Sequence, residues 1–268
     1  MTELDERRRA YWNGRFRLHW GPEGAASVYM SRQFNAWRYR VRRVVFRRLV
    51  RRLGFAPGTS SVLDVGCGTG FYLQQWQALG VTSMAGLDIS DWVVTQLARA
   101  YPSATFYCAN IGGADSPLPA AAFDAVTALD VLVHLVDDAS YSRALDNLHR
   151  SLKPGGYLLY SDAFFHGPDK QSEDYWRGRS LSTVAAAMDA AGFEIVFRIP
   201  MSILMAAPTD TRHRQCNERI WDAIMAPVRR WDAIGFVFGA LLFPFELLLV
   251  STLKESPAIE IMVCRKRS

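Results

Sequence analysis

The chain lacks any paired cysteine motif. Its four cysteines, Cys67, Cys108, Cys216 and Cys264, are scattered without C-x-x-C spacing, which excludes a zinc ribbon and a dithiol redox centre and predicts a reducing compartment. No apolar core follows the first residues, Met-Thr-Glu-Leu-Asp-Glu-Arg-Arg-Arg, so nothing marks the chain for export and a cytoplasmic location is expected. Lysine is nearly missing, with four residues against 27 arginines. What is present is ordinary for a globular protein. A content of 50% hydrophobic and 21% charged residues over 268 positions excludes a disordered chain and suffices for one large α/β core with additions.

Charge is unevenly placed: residues 1–53 hold 14 arginines and four acids, and the remaining 215 residues are net acidic by five. Within 40–53 the apolar residues Val41, Val44, Val45, Leu49 and Leu53 recur every three or four positions, which predicts a helix with one buried stripe and arginines on its solvated face. Contact with an anionic membrane or an acidic substrate is the alternative. A nucleic-acid partner is not expected, since no aromatic-plus-basic reader module is present.

Residues 61–72 are the most informative stretch. An apolar strand, Ser61-Val62-Leu63-Asp64-Val65, runs into the alternating glycines Gly66, Gly68 and Gly70 and then a helical pattern. Glycine permits a tight turn and lets a ligand approach main-chain N–H groups that a Cβ would hold off. The G-x-G-x-G spacing departs from the G-x-G-x-x-G dinucleotide fingerprint, and a carboxylate at Asp64 suits a ligand bearing an ammonium group. Alone, such a loop is equally a plain strand-to-helix turn. The next apolar run, Met84-Ala85-Gly86-Leu87-Asp88-Ile89, ends in an acid 22 positions after Gly66. An acid there, at the tip of a neighbouring parallel strand, is placed to accept hydrogen bonds from both ribose hydroxyls, so two features agree on a nucleoside.

Val62-Leu63-Asp64-Val65-Gly66-Cys67-Gly68-Thr69-Gly70 resembles the first motif of class I S-adenosylmethionine-dependent methyltransferases. Asp88 matches that family's ribose-binding acid, Phe123-Asp124-Ala125-Val126 resembles the opening of its fourth strand, and Leu152-Lys153-Pro154-Gly155-Gly156 the turn before its fifth. The resemblance implies an α/β, Rossmann-like doubly wound fold with a mostly parallel seven-stranded sheet and helices on both faces. It also implies S-adenosyl-L-methionine as cofactor, held by Asp64, Gly66, Cys67, Gly68, Gly70, Asp88, Ile89, Asn110, Ile111 and Asp130. One departure is Asn110, where the family often has an Asp facing the adenine amino group. Its amide oxygen can accept that bond, and the Ile111 N–H can donate to the ring.

Apolar runs alternating with helical patterns support repeated βα units, with helices predicted over 71–79, 91–100, 141–152 and 182–191. Ser90 or Asp91 is expected to cap the second, and Gly192 to end the last in a left-handed conformation. An N-terminal helical cap (1–44) is read as two short helices, around 11–16 and 28–37, joined through Gly21-Pro22-Glu23-Gly24, with an aromatic face that can enclose an acceptor. The cofactor-binding core is assigned to 45–204, a hydrophobic helical insertion to 205–256 and the final strand to 257–268. In the insertion, 218–231 reads as an amphipathic helix, and 233–250 is apolar except for Glu246 and bent by Pro244. Spanning a membrane is not expected, because both ends must return to adjacent strands and a midway carboxylate is costly in lipid. A lid over the acceptor, a homodimer interface through 233–250 and a peripheral membrane contact stay open.

Methyl transfer from a sulfonium is an in-line displacement that mainly requires alignment and exclusion of water. His134, after the fourth strand, is the first candidate for a base that takes an acceptor proton, and His166, after the fifth, is the second. Packing alone accounts for His134 equally well. His149 is read as a surface residue, and Asp162, Glu173 and Asp174 as an exposed polar loop by default, with orienting an acceptor or binding a cation as the alternatives. No metal site is expected. The fourth strand is followed neither by Asn-Pro-Pro-Tyr or Asp-Pro-Pro-Tyr nor by a Pro-Cys pair, which argues against amino-methylating and C5-methylating nucleic-acid enzymes. The expected activity is methylation of a small or lipophilic acceptor, O-methylation slightly favoured. The alternatives are an RNA or protein methyltransferase recruited by the arginine-rich N-terminus and a non-catalytic nucleoside-binding scaffold.

Overall fold

In the computed structural model, which describes residues 3–21, 29–172 and 175–267, the apolar runs assemble into one seven-stranded sheet. Its strands are β1 (Ser61–Val65), β2 (Ser83–Asp88), β3 (Thr105–Cys108), β4 (Phe123–Leu129), β5 (Leu152–Asp162), β8 (Phe193–Ser202) and β9 (Ile259–Lys266). A separate two-stranded hairpin, β6 (Lys170–Ser172) and β7 (Trp176–Gly178), follows β5 and has no counterpart among the sequence expectations. The sheet order is β3-β2-β1-β4-β5-β9-β8, and only β9 runs antiparallel to its neighbours. The order reverses between β1 and β4, so the tips of β1, β2 and β4 flank the crevice where ligands bind in such sheets.

Period-two alternation splits the core into two layers. Val62 and Leu159 face a cluster built with α2 (Arg32–Arg52), α3 (Phe71–Ala78) and α4 (Asp91–Ala100). Leu63 and Leu158 face the opposite cluster, with α5 (Asp138–Ser151) and α6 (Leu181–Ala190). Ser90 caps α4, its hydroxyl accepting from the Val93 N–H at 3.1 Å, and Gly192 ends α6 at φ +84°. His149 is only partly buried, its ring edge-on to Phe193.

The N-terminal region differs from its expected shape. A single first helix, α1, covers Glu3–Leu18, and α2 is continuous across the 44/45 boundary, its start capped by Ser31. Cap and core therefore share a helix, because the stripe Phe34, Val41, Val45 and Leu49 belongs to one buried cluster with sheet residues such as Val62 and Leu159. The expected linker residues Pro22, Glu23 and Gly24, with Val28, Glu173 and Asp174, lie outside the described residues.

The insertion forms α7 (Arg214–Arg230) and α8 (Asp232–Thr252). Helix α8 is long and apolar enough to cross a membrane by length and composition. The insertion leaves from β8 and returns to β9, which are hydrogen-bonded neighbours, and α8 packs along α2 through a face that includes the buried Gly235 and Gly239. A Cβ at Gly239 would stand 2.4 Å from Trp37 Cδ1, so only glycine allows this approach. Glu246 points inward and is fully buried. Its Oε1 accepts from Ser202 Oγ and the Ile203 N–H, and its Oε2 from the Leu204 N–H, all at 2.7 Å. The carboxylate thus ties α8 to the end of β8, and the outward face, including Phe236, Val237, Leu241, Phe245 and Leu248, carries no charge.

Candidate active site

A cavity of about 520 Å³ lies at the tips of β1, β2 and β4. Gly66, at φ +63°, turns the chain so that its N–H and that of Cys67 both donate to the Leu87 carbonyl, at 2.7 and 3.2 Å. A Cβ there would lie 2.4 Å from Val131 Cγ2, so glycine lets the β1 tip close against the segment after β4. Asp88 ends β2 with its oxygens held apart by main-chain donors, Oδ2 accepting from Gly68 and Oδ1 from Ser90, both at 2.9 Å. Burial raises its carboxyl to about 6 against the pull of these N–H groups.

The cavity brings together Gly66, Cys67, Gly68, Asp88, Ile89, Asn110, Ile111, Asp130 and His134. Three expected residues do not line it. Asp64 sits inside β1, where Thr127 Oγ1 donates to its Oδ1 at 2.6 Å; Oδ2 is buried without a described partner, and burial lifts the carboxyl to about 7. Gly70, at φ +79°, is instead a close-approach residue at the start of α3, where a Cβ would meet Leu97 Cδ2 at 2.9 Å. His166 lies on the surface, its Nδ1 2.6 Å from Asp210 Oδ2 and its Nε2 near Glu255; the hydrogen bond to Asp210 raises its pKa. Asn110 is also engaged differently from expectation. Its oxygen accepts from the Gly112 N–H at 2.9 Å, and its amide nitrogen donates to Asp5 on α1 at 2.7 Å.

His134 stands on the opposite wall between Trp12 and Tyr175, edge-on to both rings. Its Nδ1 is 3.1 Å from the Tyr175 carbonyl, an acceptor only, so the proton resides on Nδ1 and Nε2 keeps its lone pair. Burial lowers the imidazole pKa, and the neutral ring is the form present at neutral pH.

Sequence reasoning missed Arg42. It was read as part of a solvated face, but it is buried, donates to Tyr72 Oη at 3.4 Å and forms an ion pair with Asp130. Asp130 adopts φ +61°, and its oxygen also accepts from Ser161 Oγ at 3.1 Å. Removal from bulk solvent would raise this carboxyl, yet the Arg42 guanidinium outweighs that and holds it below the ordinary range. The only signal in the sequence was that Arg42 follows Val41 on the edge of the buried stripe. Helix α1 closes the cavity with Arg8, Tyr11, Trp12, Arg15 and Phe16. It is latched across the strand tips by Arg9 Nε to the Ile89 carbonyl at 3.1 Å and Asn13 Nδ2 to Asp91 at 2.6 Å.

A second cavity, of about 580 Å³, adjoins the first at Asp130 and extends under the insertion, between Ser161 and Asp162 at the β5 tip and Trp221 and Arg229 on α7. Asp162 lines it. Its carboxyl is raised to about 6 by burial, with Oδ1 and Oδ2 accepting from the Ala163 N–H and Tyr160 Oη.

The family model for a methyltransferase domain matches residues 62–156, the stretch holding the glycine loop, Asp88, Asn110 and His134. The matched stretch is similar to the methyltransferase domain of S-adenosylmethionine-dependent enzymes. The chain is 30% identical over 166 residues to a Mycolicibacterium smegmatis protein named "Probable S-adenosylmethionine-dependent methyltransferase", a match covering 60% of each chain. It is also 30% identical over 155 residues to the dTDP-4-amino-2,3,4,6-tetradeoxy-D-glucose N,N-dimethyltransferase of Saccharopolyspora spinosa, covering 55% of this chain and 54% of that one. The matches thus span somewhat over half the length of these curated relatives. In fold, this chain resembles the Burkholderia thailandensis 1,6-didemethyltoxoflavin-N1-methyltransferase, with a TM-score of 0.57 at 16% identity over 100% of this chain and 92% of the other.

Proposed function

We propose that this protein binds S-adenosyl-L-methionine in the 520 Å³ cavity and methylates a small or lipophilic acceptor held in the adjoining cavity, with a hydroxyl oxygen favoured as the methylated atom. The observation that carries this reading is the pairing, in one cavity, of Asp88 fixed at a strand tip with a neutral His134 whose Nε2 is free to take a proton. The residues present fit the cofactor's chemistry. Asp88 offers lone pairs to a ribose diol, Asn110 and Ile111 border an adenine, and Arg8 brings a buried, unpartnered Nη2 for a carboxylate. When bound, S-adenosylmethionine supplies an electrophilic methyl group.

The chain's own task is to orient the acceptor, exclude water and remove a proton. His134 Nε2 accepts the acceptor's hydroxyl proton as the oxygen gains its new bond, and the Nδ1–H bond to the Tyr175 carbonyl keeps the imidazole in the required tautomer. Asp130, kept ionised by Arg42 at the junction of the cavities, stabilises the imidazolium through space. Trp12, Phe16 and Tyr11 keep water out. The test is transfer of isotopically labelled methyl from S-adenosylmethionine to a panel of lipophilic alcohols and phenols. Labelled ethers that disappear in His134→Ala support the reading, and cofactor binding without transfer to any hydroxyl, amine or carbon acceptor contradicts it.

The compartment we infer is the cytoplasm, with attachment to an anionic bilayer through the outward face of α8. Arginines of α2 rim that face: Arg40 stacks on Trp37, which packs against Phe236 and Phe243, and Arg48 donates to Ser251 Oγ at 2.7 Å. Charge of one sign beside an uncharged apolar face is complementary to acidic headgroups over acyl chains. Other arginines that suggested nucleic acid are already engaged, Arg42 by Asp130 and Arg47 by Gln75. A homodimer through the same face is the rival outcome and is read from mass in solution without lipid.

A further inference from the structure

Among the described residues the second cavity contains one cation, Arg38, without an ion pair of its own: Asp130 and Glu246 act on it through space, but each has its oxygens taken by other partners. Arg38 lines this cavity from α2, one helical turn before Arg42. Arg42 has Asp130 as its partner, whereas the hydrogen bond of Arg38 among the described residues goes to the neutral Asn35 Oδ1, at 3.1 Å. The other charged groups lining the cavity are committed elsewhere. Arg229 is paired with Asp222, and both oxygens of Asp162 are taken by the Ala163 N–H and Tyr160 Oη. Glu246, the other carboxylate near Arg38, has its oxygens filled by Ser202, Ile203 and Leu204. Around this guanidinium the walls are apolar, with Met30, Val133, Phe165, Trp221, Met205 and Ile259.

Resting on the acceptor reading above, we infer that the second cavity selects an amphiphilic acceptor carrying an acidic group, which Arg38 binds while the apolar body lies against the walls. A guanidinium beside a second guanidinium and away from bulk solvent gains most from a carboxylate or phosphate, which it can grip with two parallel N–H bonds. Burial and the neighbouring Arg42 push its pKa down to about 10, so it stays charged at neutral pH with its charge under-compensated. The cavity's size falls within the range of ordinary small-molecule sites. Placing the acid on Arg38, on the far side of Asp130 from the first cavity, leaves the opposite end of the acceptor to be presented toward His134 through the junction.

The test is calorimetric titration of the full chain, saturated with S-adenosylhomocysteine, with dodecanoate, methyl dodecanoate and dodecylamine below their aggregation limits. Dodecanoate is expected to bind at least tenfold more tightly than the ester or the amine. Arg38→Gln should bring acid and ester within twofold of each other, and Arg38→Lys should retain most of the preference. S-adenosylhomocysteine affinity, measured on the same samples, should be unchanged in both variants and reports an intact fold. Equal binding of acid and ester by the parent protein, tighter binding of the amine, or an undiminished acid preference in Arg38→Gln overturns the inference. Should the parent not bind S-adenosylhomocysteine, the cofactor reading fails, and the same three titrations without it still decide this one.

Discussion

Replacing Glu246 with alanine is expected to cost about 3 kcal/mol of stability, although the residue lies midway along a helix whose outer face is open. The Glu246 carboxylate holds three donors at 2.7 Å, and the Ser202 and Ile203 bonds are buried. Losing it leaves the Ile203 N–H without an acceptor, at about 1–3 kcal/mol. The Leu204 N–H, partly buried, recovers some bonding from water, and the Ser202 hydroxyl can rotate to another acceptor, so these add about 1 kcal/mol together. Urea unfolding followed by circular dichroism is the assay; with a slope of about 3 kcal/mol/M the midpoint falls by roughly 1 M. The control is its neighbour Phe245, 60% exposed on the outward face. Phe245→Ser should change stability by no more than about 0.5 kcal/mol. It should weaken binding to phosphatidylglycerol vesicles, since it removes apolar contact with the acyl chains. A loss below about 1 kcal/mol for Glu246→Ala, or a larger loss for Phe245→Ser, would refute the orientation of α8 and with it the docking face.

His134→Ala should lower kcat by about 10²–10⁴ with S-adenosylhomocysteine affinity retained. Because the neutral imidazole is the active form and burial depresses its pKa, the acid limb of the rate profile should lie below the ordinary histidine value of about 6.5. Asp64 gives the opposite sign in stability. Its folded carboxyl, raised to about 7, keeps a proton that the unfolded chain releases near pH 4, so its contribution is full below that value and is lost as pH rises to about 7. Asp64→Asn should therefore match the parent in urea midpoint near pH 4 and exceed it near pH 8; an equal difference at both would contradict the assignment.

Much of the core was legible because local signals and burial coincide. The glycine loop, Asp88 and the capped α4 needed only the strand-turn-helix pattern, and the apolar runs marked the sheet's strands. What stayed hidden depends on contacts between distant segments. Arg42 looks like its exposed neighbours until Asp130, 88 residues away, faces it, and Glu246 looks like a flaw in an apolar helix until the end of β8 meets it. His166 misled for the same reason: a histidine after a strand tip belongs to the site only if the loop turns inward, and Asp210 holds this one at the surface. Asp64 and Gly70 belong to the motif but serve its frame, one within the sheet and the other at the start of α3.

The most direct measurement is calorimetric titration of S-adenosylhomocysteine into the parent protein and Asp88→Ala, with thermal unfolding of both as a check on the fold. Asp88 reaches the cavity with its oxygens oriented by Gly68 and Ser90, so its loss should weaken binding by about 1.5–3 kcal/mol, roughly ten- to hundredfold. Equal affinity in the two proteins, or no binding by the parent, would contradict the claim that this crevice holds the adenosyl cofactor.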